Sequence, residues 1–376
     1  MPPTRPRIIV IGPAYLDRVL RVDRRLADPP LDFSLDGRLE AGRDDAARPA
    51  SIRLLDPNDA TLEIKPPPRW PGPCGLIHLS RPLAPEGVQL RATSAVGIDW
   101  SDDLGGMGAG YAAALGGDLV TVLGVEGDET SARIERLLDE AGVRIASAAR
   151  ARPAADWTLV VSSGPHGDKL PVGFRGPAAV ALDPNFPAYA QCDLRVVASG
   201  TNALASQALA APGAAVRMFA PSLRNMLDVE PPVAALADHV DILACNRREW
   251  TTLPEHDRAH LESKLQVLSI TDGEAGAEVA CRDQAGRLRR VRVPAFPRDQ
   301  LPVDTNRAGE AFAATLIKTL LSRGPVSLIS ADDVVAAAHR GSAAAALVLD
   351  IAHFGFPTDA AVDAALARGR VAAVEP

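Results

Sequence analysis

The sequence predicts an α/β fold in which helices cover a mostly parallel β-sheet. The first observation is an alternation of short apolar runs, typical of buried strands, with longer segments that have helical spacing. The second is composition, because 47% hydrophobic residues in a chain of 376 are ample for a large core. Strands are predicted at 7–12, 119–124, 194–199, 215–219, 241–245 and 267–271. Helices are predicted at 105–116, 130–141, 201–210, 247–252, 307–322, 331–349 and 358–367. In such a fold, ligands bind at the carboxyl ends of the strands.

The composition also excludes several classes of function. A formal net charge of −7 argues against a nucleic-acid-binding surface. The four cysteines are scattered without a C-x-x-C pair, so neither a zinc site nor a disulfide scaffold is indicated. No apolar run reaches membrane-spanning length, and the N-terminus leads into a predicted strand without the apolar region of a signal peptide. We therefore expect a cytoplasmic protein that binds neither membranes nor nucleic acids.

The segment that carries most chemical information is Val303–Phe312, with the sequence VDTNRAGEAF. A turn of small residues leads into an apolar helix, so the N–H groups of Ala308 and Gly309 form an anion site at the positive end of the helix dipole. Glu310 in the same turn could take a proton from a hydroxyl group while this site holds phosphate. The alternative is an ordinary helix N-terminus with an acidic residue in its first turn.

Polar or glycine-rich segments accompany several other predicted elements. The first strand ends at Gly12 and is followed by Asp17, which by itself reads as a solvated loop carboxylate. Asn246 follows a short apolar strand and suits a helix N-cap, with Glu249 as its capping partner. The other such segments are a glycine-rich helix start at 103–112, a T-D-G-E-A-G loop at 271–276 and an Ala-rich helix from Ser342.

In this order, the segments resemble the signatures of the pfkB/ribokinase family of carbohydrate and nucleoside kinases. The family's D-T-x-G-A-G-D reads D-T-N-R-A-G-E here, with Arg307 at its first glycine and Glu310 at its catalytic aspartate. The resemblance implies a ribokinase-like three-layer sandwich, with a mostly parallel central sheet and a small β lid. It also implies a single kinase domain over residues 1–376.

The resemblance puts the lid at about 13–100 and about 155–180. Residues 31–100 form a longer connection than the family has, and they are rich in Pro, Asp and Arg. Four β-like runs are predicted in this insertion, at 51–55, 61–65, 75–79 and 87–97. We expect the elaborated lid to cover the acceptor site or to form a homodimer contact.

The resemblance further implies a phosphotransferase that uses ATP and Mg²⁺ and acts on a hydroxyl of a sugar or nucleoside-like small molecule. Glu310 is then the general base, and the turn of Arg307, Ala308 and Gly309 is the anion hole. The residues that would bind the acceptor are Asp17, Gly105, Gly106 and Asn185. The residues that would bind the nucleotide are Asn246, Thr271, Gly273, Gly276 and Ser342.

Two positions are implied for metal ions. Glu249 would organise Mg²⁺ and its water shell. Asp304 and the backbone of Asn306 resemble the family's monovalent-cation loop, which allows stimulation by K⁺.

The alternative is a catalytically impaired kinase-fold protein that regulates by binding a small molecule or nucleotide. Glu310 is one methylene longer than aspartate, and a shift of about 1 Å in a reacting group can cost about a hundredfold in rate. Arg307 stands where a glycine can be needed for a positive φ. Against this, arginine binds phosphate well, and glutamate is as competent a base as aspartate. The other motif positions are intact, which favours an active enzyme.

Overall fold

A computed structural model gives the architecture of the chain. It describes residues 6–22, 38–43, 49–55, 61–65, 76–79, 93–152, 155–162, 169–175, 186, 189, 191–283, 286–304, 306–324 and 330–371. The strands are β1 (Ile8–Ile11), β2 (Tyr15–Val22), β3 (Arg38–Arg43), β4 (Pro49–Leu55), β5 (Thr61–Lys65), β6 (Leu76–Leu79), β7 (Thr93–Gly105), β8 (Asp118–Gly124), β9 (Ile145–Arg152), β10 (Trp157–Ser162), β11 (Lys169–Arg175), β12 (Leu194–Ala198), β13 (Val216–Ala220), β14 (Ile242–Asn246), β15 (Val267–Thr271), β16 (Ala277–Arg282) and β17 (Leu288–Val293). The helices are α1 (Met107–Leu115), α2 (Glu129–Glu140), α3 (Asn202–Ala210), α4 (Leu223–Leu227), α5 (Arg247–Thr252), α6 (Glu255–Lys264), α7 (Ala308–Arg323), α8 (Ala331–Val348) and α9 (Asp359–Arg368).

The central sheet has nine strands, in the order β17-β16-β15-β14-β13-β12-β1-β8-β9. Neighbours from β15 to β9 run parallel, whereas β16 and β17 are antiparallel additions at one edge. The four residues of β1 are all apolar and all buried, as expected for a strand inside a sheet that is covered on both faces. The parallel strands bring their carboxyl ends to one edge of the sheet, where the predicted polar residues Asn246 and Thr271 end β14 and β15.

The predicted sheet is confirmed, since all six predicted strands and all seven predicted helices are present with bounds within two residues. Three strands of the central sheet were not predicted: β9, β16 and β17. The reason is clearest for β17, whose sequence LRRVRV exposes three arginines. Such a strand lies at the sheet edge and lacks the apolar run that marks a buried strand.

The core lies on both faces of the central sheet. Ile8 and Val10 pack on one face with buried residues of α1, α2, α7 and α8. Ile9 and Ile11 pack on the other face with buried residues of α3, α5 and α6. This division follows from the two-residue period of a strand, and it produces three layers. In the described part of the chain, no helix is both long and apolar enough to cross a membrane.

A second sheet of eight strands has the order β3-β4-β5-β7-β2-β10-β11-β6. It unites segments from both predicted lid regions, because β2 pairs antiparallel with β7 and parallel with β10. The β-like runs of the insertion correspond to β4, β5, β6 and β7, while β3 was not predicted. The fold is therefore the predicted sandwich with a second, lid-like sheet.

Candidate active site

Asp304 shapes the turn that precedes α7. Its Oδ1 accepts the N–H of Asn306 at 2.7 Å, and Arg307 then adopts the left-handed conformation, with φ 68° and ψ −1°. Helix α7 begins at the next residue, and the N–H of Ala311 donates to Arg307 O at 2.8 Å. The N–H groups of Ala308 to Glu310 therefore precede the helical ladder at the positive end of the dipole.

A cleft of about 360 Å³ opens in front of this turn. Its walls come from α1, from the carboxyl ends of the parallel strands and from the start of α7. The lining residues are Met107, Tyr111, Pro221, Ala244, Cys245, Asn246, Glu249, Ser269, Thr271, Asn306, Arg307, Ala308, Gly309, Glu310 and Ala313. The structure thus brings the predicted general base, anion turn, nucleotide threonine and metal glutamate into one cleft.

Glu310 packs against the glycine-rich helix α1. A Cβ atom at Gly110 would lie 3.4 Å from Glu310 Cγ, 3.8 Å from Glu310 Oε1 and 3.7 Å from Phe356 Cζ. A methyl group at Gly110 would therefore make an ordinary van der Waals contact with the Glu310 side chain. Burial raises the pKa of Glu310, and its own backbone N–H and the charge of Arg307 offset this only in part.

Asn246 and Glu249 form a capping box at the start of α5. The Glu249 N–H donates to Asn246 Oδ1 at 2.8 Å, and the Asn246 N–H donates to Glu249 Oε2 at 2.9 Å. Burial, helped by the negative charge of Glu310, raises the pKa of Glu249 to about 7. The predicted capping role is confirmed, and it holds the carboxylate at the cleft wall.

The acidic groups of the cleft would favour a cation. Burial raises the pKa of Tyr111 well above its ordinary value, and the charges of Glu310 and Glu249 raise it further. Carboxylate oxygens are the ligands that Mg²⁺ prefers, and it is commonly held by one or two of them together with substrate phosphates. Within the described ranges, no group of three or more His, Cys, Asp or Glu could hold a metal by itself. The donor set therefore fits Mg²⁺ bound together with a phosphorylated ligand.

The side chain of Arg307 is turned toward buried carboxylates. Its Nη2 lies 3.1 Å from Asp304 Oδ2 and 3.4 Å from the carbonyl oxygen of Ile351, and its Nη1 lies 3.6 Å from Asp103 Oδ2. The guanidinium carbon lies 5.7 Å from the centre of the Phe354 ring. Only 8% of the side chain is exposed. These contacts hold the arginine in a backbone conformation that ordinarily favours glycine.

The predicted acceptor residues Asp17, Gly105 and Gly106 lie where the lid-like sheet meets α1. Strand β2 pairs Asp17 with Asp103, and a Cβ atom at Gly105 would overlap the Asp17 carboxylate. Gly106 has φ 95°, and a Cβ atom there would overlap the backbone of Pro13. The structure therefore brings Asp17 and Gly105 into contact. Asn185, the fourth predicted acceptor residue, lies outside the described residues.

Among the predicted nucleotide residues, Asn246 and Thr271 line the cleft, whereas Gly273, Gly276 and Ser342 do not. Thr271 ends β15 beside the anion turn, since a Cβ atom at Gly309 would lie 4.0 Å from Thr271 Oγ1. Gly273 and Gly276 form the turn between β15 and β16, with φ 54° and 90°. Ser342 is buried in α8 and donates to Pro294 O at 2.8 Å, so its hydroxyl does not line the cleft.

Two residues of this region were missed by sequence reasoning. Tyr111 lines the cleft next to both glutamates. Asp103 accepts the N–H of Phe354 at 2.9 Å and so links β7 to the loop after α8. Tyr111 and Asp103 stand within the glycine-rich segment that was recognised, but nothing in their sequence spacing indicates these contacts.

The three-layer α/β fold with a second, smaller sheet is ribokinase-like. A model of the pfkB family carbohydrate kinases matches residues 86–355, so the chain belongs to this family. No curated protein sequence was found to be significantly similar to the chain.

Solved structures share the fold at low sequence identity. Ribokinase from Giardia lamblia is 16% identical, with a TM-score of 0.62, and the match covers 96% of this chain and 99% of the Giardia chain. The Methanocaldococcus jannaschii nucleoside kinase, an archaeal member of the ribokinase family, is 14% identical with a TM-score of 0.61, covering 96% and 98%. Arabidopsis thaliana ribokinase, solved with ribose and ATP, is 15% identical with a TM-score of 0.57, covering 96% and 99%.

Proposed function

We propose that this protein transfers a phosphoryl group from ATP to a hydroxyl of a sugar or nucleoside-like small molecule. The observation that carries the proposal is the position of Glu310. It stands in the first turn of α7 and lines the same cleft as its neighbours Ala308 and Gly309 at the helix start. A base and an anion site in one cleft are what phosphoryl transfer to an alcohol requires.

Glu310 is proposed as the general base. Burial raises its pKa, which makes the ionised form a stronger proton acceptor than an ordinary glutamate. The N–H groups of Ala308 and Gly309 would stabilise the charge that develops on the transferring group. They belong to the rigid start of a helix, so they need no reorganisation during the reaction.

The nucleotide would lie along the edge formed by Asn246, Thr271 and the turn of Gly273 and Gly276. Glu249 would hold Mg²⁺ together with the ATP phosphates, and bound Mg²⁺ would neutralise charge on the transferring group. The capping box supports this role because it fixes the Glu249 carboxylate at the cleft wall.

The acceptor would bind between Asp17, Gly105 and Gly106, with Asn185 as a further proposed contact. A carboxylate held against a glycine backbone is suited to accept hydrogen bonds from hydroxyl groups of a polyol. The lid-like sheet that carries Asp17 is proposed to cover this position, and it is also the proposed homodimer contact.

The runner-up proposal is a regulator that binds a nucleotide or small molecule without turnover. It draws support from the two altered motif positions. Two observations favour an enzyme instead. Arg307 keeps the positive φ that the turn needs, and Glu310 lines the same cleft as Ala308 and Gly309.

The test is ADP release with Mg²⁺ and ATP against a panel of sugars and nucleosides. The expected result is turnover with at least one acceptor, and Glu310→Gln is the matched control that should lack it. ATP binding measured by calorimetry separates the two proposals. Binding without ADP release for any acceptor would favour the regulator, and absence of both would overturn both.

A further inference from the structure

The guanidinium of Arg307 lies among groups that would suit a bound cation. Its neighbours are the carboxylates of Asp304 and Asp103, the carbonyl oxygen of Ile351 and the face of Phe354. The two carboxylate side chains are only 10% and 13% exposed. Buried carboxylates need a positive partner, and here the chain supplies one.

The same positive charge stands beside the proposed anion hole. Asp304 uses Oδ2 for Arg307 and Oδ1 for the N–H of Asn306, which shapes the turn before α7. Asp103 connects Arg307 to β7, and its Oδ1 accepts the N–H of Phe354. The guanidinium therefore fixes three segments against one another: the turn, the end of β7 and the loop after α8.

A free monovalent ion does not fit beside this arrangement. Such an ion at the Asp304 loop would take up the carboxylate oxygen and the carbonyl oxygen that Arg307 already contacts. It would also add a second positive charge within a few ångströms of the guanidinium, in a region shielded from water. The Asp304 loop therefore accommodates one positive charge, which the guanidinium of Arg307 supplies.

We propose that Arg307 is a built-in replacement for the monovalent cation, so that the protein folds and works independently of K⁺. Arg307 acts here as a positioning residue, which holds the turn of Ala308 and Gly309 through Asp304. Its effect on turnover rests on the proposed function, whereas its effect on stability does not.

Thermal unfolding tests this proposal without any substrate. The wild type, Arg307→Gly and the control Arg298→Ala are melted in KCl and in choline chloride of equal ionic strength. Glycine adopts a positive φ without strain, so Arg307→Gly removes the charge and keeps the turn. Arg298 pairs with Asp350 in the loop after α8, and both side chains are 11% exposed. Arg298→Ala therefore removes a comparably buried arginine beside the same loop, but it leaves Arg307 and Asp304 unchanged.

The wild type should have the same Tm in both salts. In choline chloride, the Tm of Arg307→Gly should be about 5 °C below that of the wild type, since the change leaves carboxylates without their partner. In KCl, K⁺ should restore part of that difference in Tm. Arg298→Ala should be destabilised equally in both salts. In ADP-release assays, K⁺ should leave the wild-type rate unchanged and raise that of Arg307→Gly about tenfold or more.

Two outcomes would overturn the proposal. One is a K⁺-specific rise in the Tm of the wild type, and the other is an Arg307→Gly protein that K⁺ does not stabilise. If Arg307→Gly fails to fold, Arg307→Asn serves instead, because asparagine is neutral and tolerates a positive φ. Absence of ADP release in every protein would count against the proposed function, and the melting data would still decide this inference.

Discussion

Gly110 of α1 lies directly against Glu310 of α7, such that a Cβ atom on the glycine would lie 3.4 Å from Glu310 Cγ. An alanine methyl group at this position would make an ordinary van der Waals contact with Glu310, whereas a larger side chain would crowd it. The position of the carboxylate is therefore set by two helices together.

Gly110→Val should lower turnover about tenfold, because methyl groups beyond Cβ would crowd Glu310 and a small displacement of a reacting group is costly. Gly110→Ala is the matched control, since its Cβ would make only an ordinary van der Waals contact 3.4 Å from Glu310 Cγ and should leave the rate nearly unchanged. The stability of Gly110→Ala should not fall, since alanine at a helix interior is favoured over glycine by about 1 kcal/mol. Initial rates and Tm measured on both proteins check these expectations, and an unchanged rate in Gly110→Val would contradict the contact.

Glu310→Gln should reduce turnover by about 10² or more while ATP affinity is retained, because it removes the base and leaves the anion turn in place. Glu310→Asp should also be slow, since it withdraws the carboxylate by one methylene from its position in the cleft. ADP release and calorimetric ATP binding measure the two effects separately. A wild-type rate in Glu310→Gln would exclude Glu310 as the base.

Glu249 should make stability depend on pH. Its pKa rises from the ordinary value of 4.5 to about 7 in the folded state, so folding favours the protonated form. The stabilising contribution is fully present below about pH 4.5 and is lost as pH rises through about 7. Glu249→Gln mimics the protonated form and can keep the capping box.

We therefore expect the Tm of Glu249→Gln to exceed that of the wild type at about pH 8 and to match it at about pH 5. Melting curves without nucleotide at both pH values measure this. If the Tm difference between Glu249→Gln and the wild type had the same size at both pH values, the charge of Glu249 would not be its cause.

Gly105→Ala should raise the KM for the acceptor about tenfold or more, because a methyl group there overlaps the Asp17 carboxylate and must displace it. Asp17→Asn should raise KM in the same way, and neither change should alter ATP affinity. Gly142→Ala is the control, since Gly142 has φ 69° but open space around it. Gly142→Ala should lower Tm without a change in the KM for the acceptor. If it raised KM as much as Gly105→Ala does, displacement of Asp17 would be ruled out as the cause.

The sequence predicted the elements whose physical signal is local. Buried parallel strands such as β1 are continuous apolar runs, and helix starts such as that of α5 carry their own caps at Asn246 and Glu249. The turn before α7 was recognisable for the same reason, because an anion-binding helix start is encoded within a few consecutive residues. Edge strands such as β17 were missed, since exposed arginines replace the apolar run.

The direction of the Arg307 side chain shows what the sequence alone left undetermined. From the motif, the arginine could bind phosphate or block the cleft. In the structure its guanidinium contacts Asp103 and Asp304. Asp103 in turn accepts a hydrogen bond from the N–H of Phe354, which lies 251 residues further along the chain. Local sequence carries no information on such contacts, because they exist only once distant segments have packed together.

The sequence by itself thus determined the alternation of strands and helices, the capping of α5 and the start of α7, all of which depend on neighbouring residues. Tertiary structure decided the packing of Gly110 against Glu310, the contact of Gly105 with Asp17 and the partners of Arg307. It also decided that the hydroxyl of Ser342 bonds Pro294 inside the core. The physical reason is the same in each case: contact, burial and charge pairing are properties of residues brought together by folding, and their spacing along the chain does not specify them.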